Sequence, residues 1–212
     1  MALPISNGMD TFNKLTELFR RFPGIGPRQA KRFVYFLLST QPGYREELVR
    51  LLLDLKNVIA ICDDCRRFFT ANGKRNLCPI CVDSNRDHNA LMVVEKDVDL
   101  ENIERAKVWQ GTYFVLGGSV PILEKKPEER IRLHEFQKLI DARSKKGLEE
   151  IVLALSLTTE GENTTHYLLE LLSPLVKKNG FKVSTLGRGL STGLELEYSD
   201  SETIRNALKN RQ

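Results

Sequence analysis

Apolar residues in the first sixty positions recur every three or four residues, which is the spacing of one helix face. Residues Phe12 to Phe22 follow this pattern, and Pro27 to Leu38 resume it after the break Pro23-Gly24-Ile25-Gly26. Proline suits the first position of a helix, because its missing N–H would have no partner there. A third helix is predicted from Tyr44 to Lys56, with Asn57 as its end. The pattern therefore predicts two helices around a Gly-hydrophobic-Gly turn, and then a third helix.

Short apolar runs alternate with helical patterns in the second half of the chain, which indicates a parallel sheet with helical crossovers. The predicted strands are Leu91–Val94, Tyr113–Leu116, Ile151–Leu155 and Phe181–Leu186. The predicted helices are Leu100–Lys107, a longer one opened by Pro127, and Thr164–Lys178. The alternation in Leu194–Tyr198 predicts one more strand, and a last helix through Ile204 and Leu208 would be capped by Asp200 or Ser201.

The polar stretch Val82 to Asn89 reads as a linker and as the best domain boundary. The predicted fold class is a multi-module α+β and α/β chain. Its parts are a helical hairpin domain over 1–57, a small four-cysteine ribbon over 58–84, a parallel α/β domain over 85–178, and a tail over 179–212 with a glycine-rich loop, a strand and a helix.

Bulk composition narrows the classes of protein that the chain can belong to. The 212 residues are 41% hydrophobic and 28% charged, so a packed core is feasible, and the net charge of +4 is compatible with nucleic acid. The first ten residues lack the pattern of a signal peptide, and no apolar run approaches the roughly 18 residues of a membrane helix. We therefore expect a reduced, cytoplasmic protein with no membrane partner.

All four cysteines lie in two C-x-x-C pairs, Cys62/Cys65 and Cys78/Cys81, with twelve residues between the pairs. This is the ligand spacing of a tetrahedral four-cysteine zinc site. Two disulfides would require an oxidising compartment, and a redox site would need only one pair. We predict one structural Zn²⁺ per chain, without an open position for catalysis. Nearby bases would stabilise the negative charge of four thiolates: Arg66, Arg67, Lys74 and Arg75.

The Gly-hydrophobic-Gly turn and the helix after it look like a helix-hairpin-helix motif. Gly24 and Gly26 allow backbone N–H groups to approach a phosphate closely, and the next helix presents its positive end there. Arg28, Lys31 and Arg32 lie on the first turns of that helix. These residues are candidates for DNA binding, although a plain helical hairpin with a solvated basic face is the alternative.

Carboxylates cluster where the predicted parallel strands end: Glu95, Asp97, Asp99, Glu160 and Glu162. In such sheets function gathers at the carboxyl ends of the strands. These side chains could hold Mg²⁺, could form an acidic docking surface for a basic partner, or could be loop carboxylates without a site. The loop 187–193 contains G-x-G but lacks the lysine of a nucleotide P-loop, so we interpret it as a turn. His88 is predicted to lie at the surface.

The order of these motifs resembles the RecR family of bacterial recombination mediators over nearly the whole chain. The matching stretches are Phe22 to Arg28, the paired C-x-x-C set, Val94-Glu95, Val115 to Gly118, Thr159 to Glu162 and Gly189 to Tyr198. The resemblance implies that the α/β part is a Toprim domain.

The resemblance also implies a non-enzymatic role in DNA repair. Members work with RecO, and in some settings RecF, to help RecA replace single-strand-binding protein on DNA. They form dimer or tetramer rings whose N-terminal regions pair, and they bind single- and double-stranded DNA without sequence preference. Arg28 and Arg32 match basic hairpin positions for DNA, and the Toprim acidic positions associated with partner contact fall on Glu95, Asp99, Glu160 and Glu162.

The chain departs from the family pattern in three places. Lys96-Asp97-Val98 replaces the usual Asp-Pro-Arg, Ser191-Thr192 stands where a proline-containing turn is common, and Leu123 to Glu129 is rich in lysine and glutamate. Toprim domains also occur in topoisomerases, primases and nucleases, so a small Mg²⁺-dependent nuclease stays open as the enzyme alternative. Mg²⁺ at the acidic cluster is not expected to be catalytic here.

Overall fold

The computed structural model describes residues 8–71, 76–187, 190, 193 and 195–209. The chain divides into two compact units, with the boundary between Val58 and Ile59. Within the described residues, no helix has both the length and the apolarity that a membrane crossing requires. Lys74 and Arg75, which were predicted to lie near the thiolates, fall outside the described residues, as does most of the glycine-rich loop of the tail.

The first unit consists of three helices: α1 (Gly8–Arg20), α2 (Pro27–Ser39) and α3 (Pro42–Val58). The predicted hairpin is confirmed, with Pro27 in the first turn of α2. An aromatic pair packs α1 against α2, since the ring centroids of Phe19 in α1 and Phe33 in α2 lie 5.7 Å apart. The predicted end of the third helix at Asn57 is wrong, since α3 continues through Val58.

The second unit opens with the cysteine module. Strands β1 (Ile59–Ile61) and β2 (Phe68–Thr70) form an antiparallel ribbon, and a single helical turn, α4 (Pro79–Val82), follows. The next strand, β3 (Asp87–Val94), starts inside the stretch that the sequence indicated as a linker. Asp87 already pairs with the neighbouring strand, and a register shift follows before Leu91. The last three residues of the expected linker therefore belong to the sheet.

The predicted parallel sheet is confirmed. It contains β3, β4 (Gly111–Val115), β5 (Glu150–Ala154) and β6 (Lys182–Thr185) in the spatial order β4-β3-β5-β6. The crossover helices are α5 (Asp97–Ala106), α6 (Leu133–Ser144) and α7 (Thr159–Asn179). The strand order reverses between β3 and β5, and in open parallel sheets a crevice for binding forms at such a point.

Strand residues alternate between two cores. Leu91, Val93 and Phe114 pack with residues of α6 and α7, such as Phe136 and Leu168. The alternate strand residues point to the other face of the sheet, where they pack with Leu100 of α5 and with all four cysteines. These strand residues are Met92, Val94, Tyr113, Val115, Val152 and Ala154. The cysteine module is therefore one of the layers that cover the sheet.

Three predicted bounds near the strand ends are wrong, each because of local hydrogen bonding. The helix α5 begins at Asp97, because Asp99 accepts a hydrogen bond from the backbone N–H of Lys96 at 2.9 Å. The helix α7 begins at Thr159, because the Thr158 hydroxyl accepts one from Gly161 at 3.1 Å. Pro127 opens only a 3-10 turn, since the backbone N–H of Arg132 is bound to Leu116 at 2.8 Å and α6 starts at Leu133.

The end of the chain is helical where the sequence indicated a strand. Leu196–Tyr198 is a 3-10 turn, and residue 194 lies outside the described residues. The last helix, α8 (Ser201–Lys209), is capped by Asp200, whose carboxylate accepts a hydrogen bond from the Thr203 N–H at 2.9 Å. One of the two predicted caps is thus confirmed.

Candidate metal centre and interaction surfaces

The four cysteines converge on one point. All four are buried, and their sulfur atoms lie within 4.8 Å of one another, with Cys65 Sγ 3.6 Å from Cys78 Sγ. Sulfur atoms about 2.3 Å from a tetrahedral ion would lie about 3.8 Å apart, so the spacing fits a shared metal. Among the described residues this is the only such group of three or more possible ligands.

The four sulfur atoms interact with one another and with the backbone. The backbone N–H of Cys78 donates to Cys62 Sγ at 3.3 Å. Hydrogen bonds from the Cys65, Cys78 and Cys81 thiols lower the pKa of Cys62, whereas hydrogen bonds within the group and burial raise the pKa of Cys65 and of Cys81. A group of four convergent sulfur ligands can bind a soft divalent cation without any other protein ligand.

Backbone and side-chain hydrogen bonds tie the cysteine module to the end of β4. Cys65 accepts a hydrogen bond from the backbone N–H of Val115 at 2.8 Å. The Arg132 guanidinium donates to the carbonyl oxygens of Arg66 at 2.6 Å and of Val115 at 3.1 Å. A Cβ at Gly117 would lie 3.0 Å from Arg132 Nε, so the glycine leaves the space that this guanidinium occupies.

A second set of contacts holds the other end of the module. Arg86, four residues beyond α4, donates to Glu104 Oε1 of α5 at 2.8 Å, and the Tyr113 hydroxyl donates to the same oxygen at 2.6 Å. Burial alone would raise the pKa of Glu104, but these two donors hold it below its usual value. No sequence motif indicated this network, because its members are far apart along the chain.

The carboxylates after β3 have defined structural partners. Glu95 is buried and pairs with Lys96 Nζ at 2.9 Å. Asp97 Oδ1 accepts the backbone N–H of Phe68 at 2.8 Å, which connects the acidic strand end to the cysteine module. Asp99 caps α5 through Lys96. These contacts use three of the five carboxylates that the sequence singled out.

The carboxylates after β5 lie on the first turn of α7 and are exposed. Glu160 Oε2 accepts a hydrogen bond from the Ser119 hydroxyl at 3.2 Å. The hydrogen bond and charge of Glu95, and more weakly the charges of Asp99 and Glu160, raise the pKa of Lys96. Glu162 instead lines a small cavity of about 50 Å³ beside β6. The turn is tight, since a Cβ at Gly161 would meet Ser156 O at 2.0 Å.

The helical hairpin presents its basic residues at an open helix start. Gly24 has φ +76°, the left-handed conformation that favours glycine, and nothing lies within 4 Å of a Cβ built at either Gly24 or Gly26. No side chain caps the first turn of α2. Arg28, Lys31 and Arg32 are exposed on this helix, so the predicted DNA-binding residues share one accessible region.

The first unit also exposes apolar surface. No residue of α3 is buried, although the sequence places its leucines on one helix face. A groove of about 450 Å³ lies between the three helices, with Phe33, Phe36, Tyr44 and Leu48 among its lining residues and Arg32 at its side. Contiguous exposed apolar surface of this kind is typical of a protein interface.

Comparison with known proteins places these features in one family. Family models match residues 12–56 (RecR, helix-hairpin-helix), 89–187 (Toprim domain) and 189–212 (RecR, C-terminal). "Recombination protein RecR" of Dehalococcoides mccartyi is 36% identical over 211 residues, which cover 100% of this chain and 97% of the relative. The chain belongs to the RecR family. The protein of the same name from Legionella pneumophila is 35% identical over 203 residues, covering 96% of both chains.

Membership of the RecR family confirms the resemblance that the motif order indicated, and it identifies the parallel sheet as a Toprim domain. Lys96, where the sequence analysis expected a departure from the family pattern, pairs with buried Glu95 and supplies the backbone N–H that donates to Asp99.

Proposed function

We propose that this RecR-family chain is a non-enzymatic, DNA-binding recombination mediator in DNA repair. With a RecO partner, and with RecF where the host uses it, it would help RecA replace single-strand-binding protein on DNA in the cytoplasm. The observation that carries the proposal is the match, over nearly the whole chain, to relatives named recombination protein RecR.

In this proposal the helical hairpin binds DNA phosphates through the N–H groups around Gly24 and Gly26 and through Arg28, Lys31 and Arg32. The open start of α2 and the exposure of the three cations support this role. Phosphate contacts carry no base information, so single- and double-stranded DNA of any sequence would bind. One hairpin makes few contacts, and affinity would come from several hairpins in one ring.

The cysteine group would hold one Zn²⁺ per chain through Cys62, Cys65, Cys78 and Cys81. When bound, the ion supplies a structural cross-link and no Lewis-acid site, because sulfur fills every position. The four cysteines lie within one of the two cores of the sheet, which supports a role of the metal in folding.

The acidic strand ends would dock a basic face of RecO through Glu95, Asp99, Glu160 and Glu162. Close carboxylates raise the local negative potential, which orients and speeds association with a cationic partner. The structural bonds made by Glu95, Asp97 and Asp99 support docking rather than catalysis. Mg²⁺ held at this edge would have no catalytic role in the proposal.

Self-association into a dimer or tetramer ring would cover the apolar surface of the first unit. The exposed leucines of α3 and the adjacent groove support this part of the proposal. We propose four functional parts, with boundaries after residues 57, 84 and 178. The first part would bind DNA, the second would bind the metal, the third would dock the partner, and the fourth is the C-terminal tail.

A salt titration of DNA binding tests the proposal. We expect Arg28→Ala with Arg32→Ala to lose nearly all affinity for two unrelated DNA sequences, while oligomer mass and metal content stay unchanged. The matched control is Lys177→Ala with Lys178→Ala, which removes the same charge from exposed positions at the end of α7 and should bind like wild type. The slope of log affinity against log salt should fall in the hairpin variant, because it scales with the phosphates neutralised.

Equal affinity of the hairpin variant and wild type would move the DNA surface away from the hairpin. A strong preference for one of the two sequences would contradict the proposed phosphate mode. Incubation with labelled DNA in Mg²⁺ or Mn²⁺ examines the nuclease alternative, and cleavage that Glu160→Ala with Glu162→Ala abolishes would favour that enzyme.

A further inference from the structure

Arg143 of α6 carries a buried guanidinium with few partners. The residue is 8% exposed, although arginine is seldom buried unless it is paired. Among the residues that the structure describes, its side chain makes one hydrogen bond, to the Thr112 hydroxyl. Asp64 Oδ2 lies 3.8 Å from Nη2, close enough for an ion pair but too far for a hydrogen bond. A guanidinium has five N–H donors, so most of the donors of Arg143 have no acceptor among these residues.

Arg143 lines a small polar cavity. The cavity has a volume of about 150 Å³, and Asp64, Asn89 and Lys146 also line it. It lies beside the first C-x-x-C pair and the first residues of β3, away from the carboxylates that follow the other end of that strand. Pockets for drug-sized ligands measure about 300–1,000 Å³, so this cavity suits a group of only a few atoms.

Neighbouring residues hold the guanidinium in place at this cavity. Thr112 is fully buried in the edge strand β4, and its hydroxyl donates to Ala90 O at 3.2 Å, which leaves its lone pairs for Arg143. No nitrogen atom of Arg143 is both fully buried and unbonded within the described part of the chain, so the unused donors reach the cavity. Donors that are fixed before a ligand binds lose little conformational entropy, which raises affinity.

The lining of the cavity has a net positive charge. Within the residues described, the pair with Asp64 is the only ion pair in the lining, so the charge of Lys146 is unpaired. Two further carboxylates near the cavity bond to Asn89 instead. Asp87 accepts its backbone N–H at 2.8 Å, and Glu149 accepts its side-chain amide at 3.3 Å. Unused N–H donors in a positive lining are suited to an oxyanion.

Asp64 narrows the kind of oxyanion that fits. Its carboxylate would repel a fully ionised oxyanion, but it would accept a hydrogen bond from a P–OH group. Inorganic phosphate and phosphate monoesters carry such a group in part of their population near neutral pH. Sulfate and the phosphodiesters within a DNA strand carry none. The lining therefore favours a phosphate that is free or esterified on one side only.

We propose that this cavity binds inorganic phosphate or a phosphate monoester. Arg143 and Lys146 donate to the phosphate oxygen atoms, and Asp64 accepts from the P–OH group. The site is separate from the hairpin, whose proposed ligands are the diesters along a DNA strand. The same group occurs as free phosphate and at the 5′ end of a DNA strand, and the experiment distinguishes these two sources.

Calorimetric titration of the full chain with inorganic phosphate, in a buffer without phosphate, tests the site. We expect Arg143→Met to bind at least about tenfold more weakly, because hydrogen bonds to a charged group are lost. Lys146→Met should bind several-fold more weakly. Lys138→Met is the matched control and should match wild type, since Lys138 is exposed on the same helix and does not line the cavity. Because Lys146 is exposed, its variant tests the site even if Arg143→Met fails to fold.

A comparison of anions tests the contact at Asp64. Sulfate should bind wild type more weakly than phosphate does, and Asp64→Asn should reduce that difference, because the amide no longer repels a fully ionised anion. Equal binding of the two anions by wild type would overturn the assignment of phosphate to this cavity.

Two oligonucleotides of one sequence, with a 5′-phosphate or a 5′-hydroxyl, identify the source of the phosphate. Tighter binding of the phosphorylated strand by wild type, with the difference lost in Lys146→Met, would support the site and make a strand end its ligand. Equal binding of the two strands, together with binding of inorganic phosphate, would support the site and make free phosphate its ligand.

Three results would overturn the inference. The first is the absence of phosphate binding by wild type at millimolar concentration. The second is wild-type phosphate affinity in both Arg143→Met and Lys146→Met. The third is loss of zinc from Arg143→Met with wild-type phosphate affinity, which would make Arg143 a counter-charge for the thiolates.

Discussion

Glu104 is a partly buried carboxylate that joins the cysteine module to the sheet through Arg86 and Tyr113. Its pKa is lower in the folded chain than in the unfolded one, so the folded state binds fewer protons. Its contribution to stability is therefore complete above the usual pKa of about 4.3 and disappears as pH falls through the lower folded value.

We expect Glu104→Gln to lower the free energy of unfolding at pH 7 by about 1–3 kcal/mol, because Arg86 loses its charged partner. The difference from wild type should shrink as pH falls below the usual glutamate range. Denaturant unfolding at several pH values measures this, with Glu101→Gln, an exposed residue of the same helix, as the control. If the difference in the free energy of unfolding between wild type and Glu104→Gln did not depend on pH, the lost stability would come from packing and not from the charge of Glu104.

The sequence predicted site residues where the chemistry of the site fixes their spacing along the chain. It did not predict contacts between residues that only the fold brings together. The two C-x-x-C pairs indicated one metal centre, and the four sulfur atoms do converge. Arg132 and Arg66 are 66 positions apart, and Arg86 and Glu104 are 18 apart. Such pairs leave no periodic signal, so only the structure shows what ties the module to the sheet.

At the level of elements, apolar periodicity located the three helices of the first unit and the four strands and three crossover helices of the sheet, but it misplaced several starts and did not indicate the short helix α4. The first turns of α5 and α7 carry polar residues, so the apolar pattern begins after each helix does. The bonds that extend them backward come from Asp99 and Thr158. As a result, Glu160 and Glu162 lie on a helix rather than in the loop that the sequence indicated.

The cysteine module covers one face of the sheet, so metal removal should affect the whole second unit. We expect Cys78→Ser to give insoluble or protease-sensitive protein, because Met92, Tyr113 and Val115 would lose a packing layer. Structural zinc contributes on the order of 10 kcal/mol in isolated fingers. Metal analysis should find about one zinc per chain, and chelation should lower the melting temperature. Full loss of zinc at an unchanged melting temperature would refute the structural role.

At the scale of the whole molecule, the exposed leucines of α3 predict assembly. We expect Leu52→Asp with Leu55→Asp to reduce the mass in solution toward that of a monomer, because a charge at each position would be costly in an apolar interface. Sedimentation measures the mass, and Val108→Asp controls for an added surface charge on the second unit. DNA affinity should fall together with the mass, since separated hairpins lose their multivalency. Unchanged mass would place the self-contact elsewhere.

We propose that this chain mediates the exchange of proteins on DNA without performing chemistry on the DNA. The most direct measurement is the rate of RecA filament formation on single-stranded DNA coated with single-strand-binding protein, in the presence of RecO. We expect wild type to accelerate the exchange with the DNA intact, and the Arg28→Ala, Arg32→Ala variant to give little acceleration. An exchange rate unaffected by the wild-type chain, or cleavage of the DNA by it, would contradict the account.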